Sequence, residues 1–135
     1  MSRTILVVED SALIAMAVAT ELERAGHRVL GPAVANAPAL ELARQRRPDL
    51  ALVDIDLQGG DSGSELVRAL HAELGVPSVF VTGQGDEASG DIAGALGVLS
   101  KPFKLAALRE TVVQALAYVD GGETPVSDGG RVRWF

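Results

Sequence analysis

The stretch "DLALVDIDLQGG", residues 49–60, runs four apolar residues, Leu50 to Val53, into Asp54, then Asp56, then two glycines. An unbroken apolar run of that length, bounded by turn residues, reads as a strand buried on both faces. Such strands belong to parallel sheets covered by helices. The strand ends on a carboxylate at the point where the buried layer opens to solvent.

The same pattern recurs on either side. "TILVV" (4–8) and "SVFVT" (78–82) read as buried strands, and "VLS" (98–100) as a short one. "RVLGPAV" (28–34) is broken by Gly31 and Pro32 and is expected at a sheet edge. Helical spacings fill the gaps. Ile14, Val18, Leu22 and Ala25 form one stripe, closed by Gly26. Asn36 is expected to cap the next helix, with Pro38 in its first turn and Arg46 and Arg47 at its negative end. Ser62-Gly63-Ser64-Glu65 is a capping box for a helix burying Leu66, Leu70 and Leu74. Between 83 and 97 only Ile92 to Leu96 looks helical. Leu105, Leu108, Val112, Leu116 and Val119 mark the last helix.

Strands alternating with helices predict an α/β fold: a doubly wound, five-stranded parallel sheet with helices on both faces. Residues 1–119 are expected to form the domain and 120–135 a tail. In the tail, turn-rich "GGETPVSDGG" precedes "RVRWF", which forms either a small strand or a frayed end. The 135 residues, 47% of them hydrophobic, suit one core. Without cysteine there is neither a disulfide framework nor a thiolate metal site. The net charge of −6 argues against phosphate-backbone binding and for cationic partners or metal ions, so no DNA is expected as a partner. No leader-like start and no bilayer-length apolar run is visible. The chain is therefore expected in the cytoplasm, off the membrane.

In an open parallel sheet, ligands sit beyond the carboxyl ends of the strands. Here those ends carry Glu9-Asp10, Asp54, Thr82 and Ser100-Lys101-Pro102. Three converging carboxylates repel one another, and one lysine offsets only part of that. A hard cation such as Mg²⁺, held by two or three carboxylates and water, offsets more. A divalent ion, a lysine and a hydroxyl around one exposed carboxylate is also the equipment for phosphoryl transfer.

"VVED", "LVDIDL", "VFVTG" and "SKPF", at four strand ends, together resemble the receiver domain of two-component response regulators, over roughly residues 3–119. The resemblance implies the flavodoxin-like strand order 2-1-3-4-5. It implies that Asp54 accepts phosphoryl from a phosphohistidine and that Glu9 and Asp10 hold Mg²⁺ with Asp54 and the Asp56 backbone carbonyl. Thr82 and Lys101 would bind phosphoryl oxygens, and Lys101-Pro102 would be cis. Gly83 would leave space for the phosphoryl group, while Asp56 and Gln84 would flank an attacking water and tune the lifetime of the acyl phosphate.

Most receivers carry an aromatic residue where this chain has Val98, so the usual Thr82-linked switch lacks its second part. A mobile segment over 84–97, ordered through Thr82 on phosphorylation, is expected instead. "FVTG" followed by "QGD" resembles a subgroup of stand-alone receivers whose fourth strand ends Phe-Ala-Thr-Gly. These work with HWE/HisKA-2 histidine kinases. The implied partners are such a kinase or a histidine phosphotransfer protein, and an unidentified downstream protein; a homodimer is a further option. The resemblance implies that the kinase contacts the first helix near Ser11 to Ala15 and that targets contact the fourth helix, fifth strand and fifth helix. With sixteen residues following Val119, no helix-turn-helix output unit is expected in this sequence.

Plainer readings stand beside these. Asp54 and Asp56 alone would open a turn, Lys101 alone would be a surface lysine, and Thr82 an ordinary strand residue. His27 and His71 read as surface histidines, Arg44, Arg46 and Arg47 as a solvated helix end, and Tyr118, Trp134 and Phe135 as packing. Two alternative functions remain. One is a phosphatase resembling the haloacid dehalogenases, which also use Asp-x-Asp after a strand but usually at the start of the domain. The other is a pseudo-receiver that is never phosphorylated.

Overall fold

The computed structural model describes residues 3–55, 57, 62–83, 91–123, 125 and 132–135. Strands β1 (Thr4–Val8), β2 (Arg28–Ala33), β3 (Leu50–Asp54), β4 (Ser78–Thr82), β5 (Ala95–Ser100) and β6 (Val132–Trp134) form one sheet in the order β2-β1-β3-β4-β5-β6. The first five strands pair in parallel, which is the expected flavodoxin-like order, with β2 at the edge. The sixth strand is an addition: β6 lies antiparallel on β5.

The helices are α1 (Ala12–Arg24), α2 (Asn36–Gln45), α3 (Gly63–Leu74) and α4 (Leu105–Val119). Alternate residues of each central strand serve opposite faces, as the period of a strand requires. Leu6, Val8, Ala51, Val53, Phe80 and Val98 face α2 and α3, meeting Ala39, Ala43, Leu66, Val67 and Leu70. Ile5, Val7, Leu50, Leu52, Val79, Val81 and Leu99 face α1 and α4, meeting Val18, Leu22, Leu108, Val112 and Leu116. That double burial is why the strands read as continuous apolar runs.

Several local expectations need correction. Residues 92–96 are not helical: residues 91–94 form turns and β5 already begins at Ala95. Gly94, at φ +94°, makes that turn, and Ile92 is buried in the core. The rest of the expected mobile segment, residues 84–90, lies outside the described residues. Asn36 does not cap α2; Ala35 takes that position without a side-chain bond. The Asn36 amide instead donates to the Ser62 carbonyl at 2.9 Å, tying the start of α2 to the start of α3. Arg47 serves a different helix end from the one expected. With Arg46 extended, the chain leaves α2, and the Arg47 guanidinium donates to the carbonyls of Leu74 (2.7 Å) and Gly75 (3.2 Å) at the end of α3. Arg44 is not simply solvated either, since it forms a two-bond pair with Glu73. Ala25 closes α1 but is exposed, and buried Glu21 joins the inner stripe by pairing with Arg109 at 2.7 Å. Ser62 caps α3 as expected, its hydroxyl accepting from the Glu65 N–H. Among the described residues, no helix is long and apolar enough to cross a membrane.

Candidate functional site

Strand register places the acids. Val8 on β1 pairs with Val53 on β3, so Glu9 and Asp54 follow at equivalent heights on neighbouring strands. Thr82 on β4 pairs with Ser100 on β5, and the Lys101 N–H donates to the Thr82 carbonyl at 2.8 Å. Four adjacent strands therefore open on the same rim. The turn after β1 is held by its own residues. The Glu9 N–H donates to the Ala33 carbonyl, the Ser11 N–H donates to Glu9 Oε2 at 3.1 Å, and the Ser11 hydroxyl caps α1 by accepting from the Ile14 N–H.

Glu9, Asp10 and Asp54 each present a carboxylate oxygen, and these lie within 4.8 Å of one another. Glu9 and Asp54 are buried, and Asp10 is half-buried. The Lys101 ammonium reaches both buried acids, at 2.6 Å from Glu9 Oε1 and 3.3 Å from Asp54 Oδ2. Burial pushes the Glu9 carboxyl above its ordinary value, against the lowering effects of the Lys101 ammonium and the Ser11 N–H; the Asp54 charge adds to the rise. Burial works against the charged form of Lys101, but the bond to Glu9 and the nearby Asp54 prevail and hold it above the usual lysine value.

The donor set fits a hard divalent cation. An octahedral ion with ligands at about 2.1 Å spaces them by roughly 3–4 Å, close to the spread of these three carboxylates. Oxygen is the only donor type in the cluster, which suits Mg²⁺ rather than a softer metal.

The remaining sequence candidates are placed as follows. Thr82 is almost wholly buried at the end of β4. Gly83 follows it, exposed, and a Cβ there would meet nothing within 4 Å among the described residues. Val98 is buried three residues before Lys101, opposite Arg133 of β6. Lys101-Pro102 is cis. Asp56 and Gln84 lie outside the described residues. One positioning residue was missed by sequence reading. A Cβ on Gly63 would lie 2.1 Å from the Asp54 carbonyl oxygen and 2.8 Å from Ile55 Cα. The Gly63 N–H also donates to the Ile55 carbonyl at 2.8 Å. Glycine thus lets the start of α3 press against the end of β3. In the sequence it looks like filler within a capping box.

Comparison with known proteins agrees with this arrangement. The family model described as response regulator receiver domain matches residues 5–113. The chain is 34% identical over 120 residues to the phyllosphere-induced regulator PhyR of Methylorubrum extorquens, an alignment covering 87% of this chain and 45% of that protein. It thus spans about half the length of the curated relatives it matches. The solution structure of the Erythrobacter litoralis PhyR REC domain superposes with a TM-score of 0.79 at 30% identity, covering 93% of this chain and 96% of that one. A CheY-like receiver domain from Methanospirillum hungatei superposes at 0.77 with 27% identity, covering 90% and 98%.

Proposed function

Because the chain belongs to the response regulator receiver domain family, we propose that Asp54 takes a phosphoryl group from a phosphohistidine and thereby switches protein–protein contacts in a phosphorelay. Members of this family are phosphoacceptor signalling modules rather than turnover enzymes. The observation carrying the reading is the gathering of Glu9, Asp10, Asp54 and Lys101 at one rim of the sheet.

An Asp54 carboxylate oxygen attacks phosphorus in line. The P–N bond of the donor breaks, its electron pair returns to the imidazole nitrogen, and an acyl phosphate forms on Asp54. Glu9, Asp10, Asp54 and the Asp56 backbone carbonyl would hold Mg²⁺, which when bound neutralises charge on the phosphoryl oxygens. The Lys101 ammonium, already beside Asp54, takes a second share of that charge. The Thr82 hydroxyl is the third donor, and Gly83 leaves the phosphoryl group room. Water attack on phosphorus releases inorganic phosphate and restores the carboxylate, with Asp56 and Gln84 tuning that step.

The donor is a histidine kinase of the HWE/HisKA-2 type or a histidine phosphotransfer protein. The "FVTG" ending of β4 and the likeness to PhyR receivers support that choice and the Phe-Ala-Thr-Gly subgroup. Residues 1–119 act as the receiver in the cytoplasm, and the output is a protein contact rather than DNA. The test is incubation with acetyl phosphate, with and without Mg²⁺, followed by intact mass and phosphomonoester turnover. One acid-labile phosphate per chain that requires Mg²⁺ is expected. Sustained turnover of a phosphomonoester would replace this reading with a phosphatase.

A further inference from the structure

Strands β1 and β3 pair as far as Val8 with Val53 and then part. The Glu9 N–H donates away from β3, to the Ala33 carbonyl at the end of β2, at 2.9 Å. Asp54 is in register on its other side with Val81 of β4. The main chains of the two buried acids are thus held from opposite halves of the sheet, and the rim splits between them. A parallel sheet opens such a crevice where its strand order reverses.

A path of contacts closes the split on the face covered by α2 and α3. Only Val34 and Ala35 separate Ala33 from Asn36, the first residue of α2. The half-buried Asn36 amide donates to the Ser62 carbonyl at 2.9 Å. That carbonyl also accepts the Leu66 N–H at 3.3 Å, so each of its lone pairs has a donor. The next residue, Gly63, donates its N–H to the Ile55 carbonyl at 2.8 Å and lies against the Asp54 carbonyl with no room for a Cβ. The path runs from Glu9 through Ala33, Asn36, Ser62 and Gly63 to Ile55 and Asp54. Its one side-chain link is Asn36 to Ser62, across twenty-six positions.

We propose that Asn36 is a positioning residue for the metal site: its amide fixes the spacing of Glu9 and Asp54, so that with Asp10 they receive a divalent cation without rearranging. The inference rests on the Mg²⁺ site of the proposed function. Lys101 spans the same two acids by charge; Asn36 spans them through the main chain, and its removal leaves the charge of the site unchanged. Helix α2 does not need asparagine here. Ala35 holds the cap position, and alanine has the higher helix propensity. What asparagine contributes at this position is the bond to Ser62.

The test is calorimetric titration of Mg²⁺ into the full chain, comparing wild type with Asn36→Ala and Asn36→Gln. Asn36→Ala should weaken Mg²⁺ binding about tenfold, the lower end of the loss on removing a group that orients metal ligands. Its urea midpoint should match that of wild type. Asn36→Gln, which keeps an amide donor, should recover part of the affinity. With acetyl phosphate, Asn36→Ala should need correspondingly more Mg²⁺ for half-maximal phosphorylation yet reach the wild-type maximal rate. Wild-type Mg²⁺ affinity in Asn36→Ala would overturn the proposal. So would a loss of affinity that follows a fall in the urea midpoint and is not recovered by glutamine, because Asn36 would then only hold the fold. A wild type that binds Mg²⁺ but gains no phosphate would sink the phosphoacceptor reading alone; the calorimetric difference would still uphold Asn36.

Discussion

The Lys101 ammonium lies 2.6 Å from a Glu9 oxygen and 3.3 Å from Asp54, so one cation bridges two buried acids at the ends of strands β1 and β3. Removing it leaves the acids facing each other and, in the proposed reaction, takes one positive charge from the phosphoryl oxygens. Lys101→Ala should slow phosphorylation by acetyl phosphate by about 10²–10³-fold, the usual loss for one transition-state donor. Mg²⁺ binding should be kept. Rates from intact mass and a Mg²⁺ titration check both parts. An unchanged rate would remove Lys101 from the site.

Gly63 abuts the Asp54 carbonyl too closely for any Cβ. Gly63→Ala should cost about 1–3 kcal/mol by overpacking and should also slow phosphorylation, because it displaces the end of β3. Gly83→Ala, where a Cβ meets nothing within 4 Å among the described residues, is the control and should leave stability nearly unchanged. Urea unfolding of the two variants separates them.

Two exposed carboxylates are held below their ordinary values by arginine hydrogen bonds, Glu73 by Arg44 and Asp120 by Arg3. A depressed folded-state value means the unfolded chain binds more protons. The pairs therefore stabilise the fold above the ordinary values of 4.5 and 3.8, and that contribution is lost as pH falls through the folded-state values. Arg44→Ala should raise the Glu73 titration midpoint, as followed by carboxyl NMR, and flatten the pH dependence of stability in that acid window. A midpoint that does not move would refute the pairing in solution.

Asp56 and Gln84, which lie outside the described residues, are proposed to tune the hydrolysis of the acyl phosphate. Replacing both with alanine should change the decay rate of phosphorylated protein several-fold while leaving phosphate stoichiometry intact. An identical decay rate would dismiss them as tuning residues.

Much of this architecture was legible because burial writes itself into composition. Runs such as Leu50–Val53 and Val79–Val81 are apolar throughout since helices cover both sheet faces. The acidic rim was legible because a charged residue at the end of such a run has few structural reasons to be there. What escaped was decided by contacts between distant segments. Asn36 looked like a cap but bonds to Ser62, twenty-six positions away. Arg47 looked like the end of its own helix but closes α3. Ile92–Leu96 has helical spacing, yet pairing with β4 captures Ala95 onward as strand. Gly97 carried no signal until Trp134 was seen opposite it.

The central claim is that one side chain, Asp54, becomes phosphorylated. Its most direct measurement is intact mass after incubation with acetyl phosphate and Mg²⁺, comparing wild type with Asp54→Asn. The account predicts one added phosphoryl group on the wild type and none on the variant. An Asp54→Asn chain that gains phosphate to the same extent would contradict it.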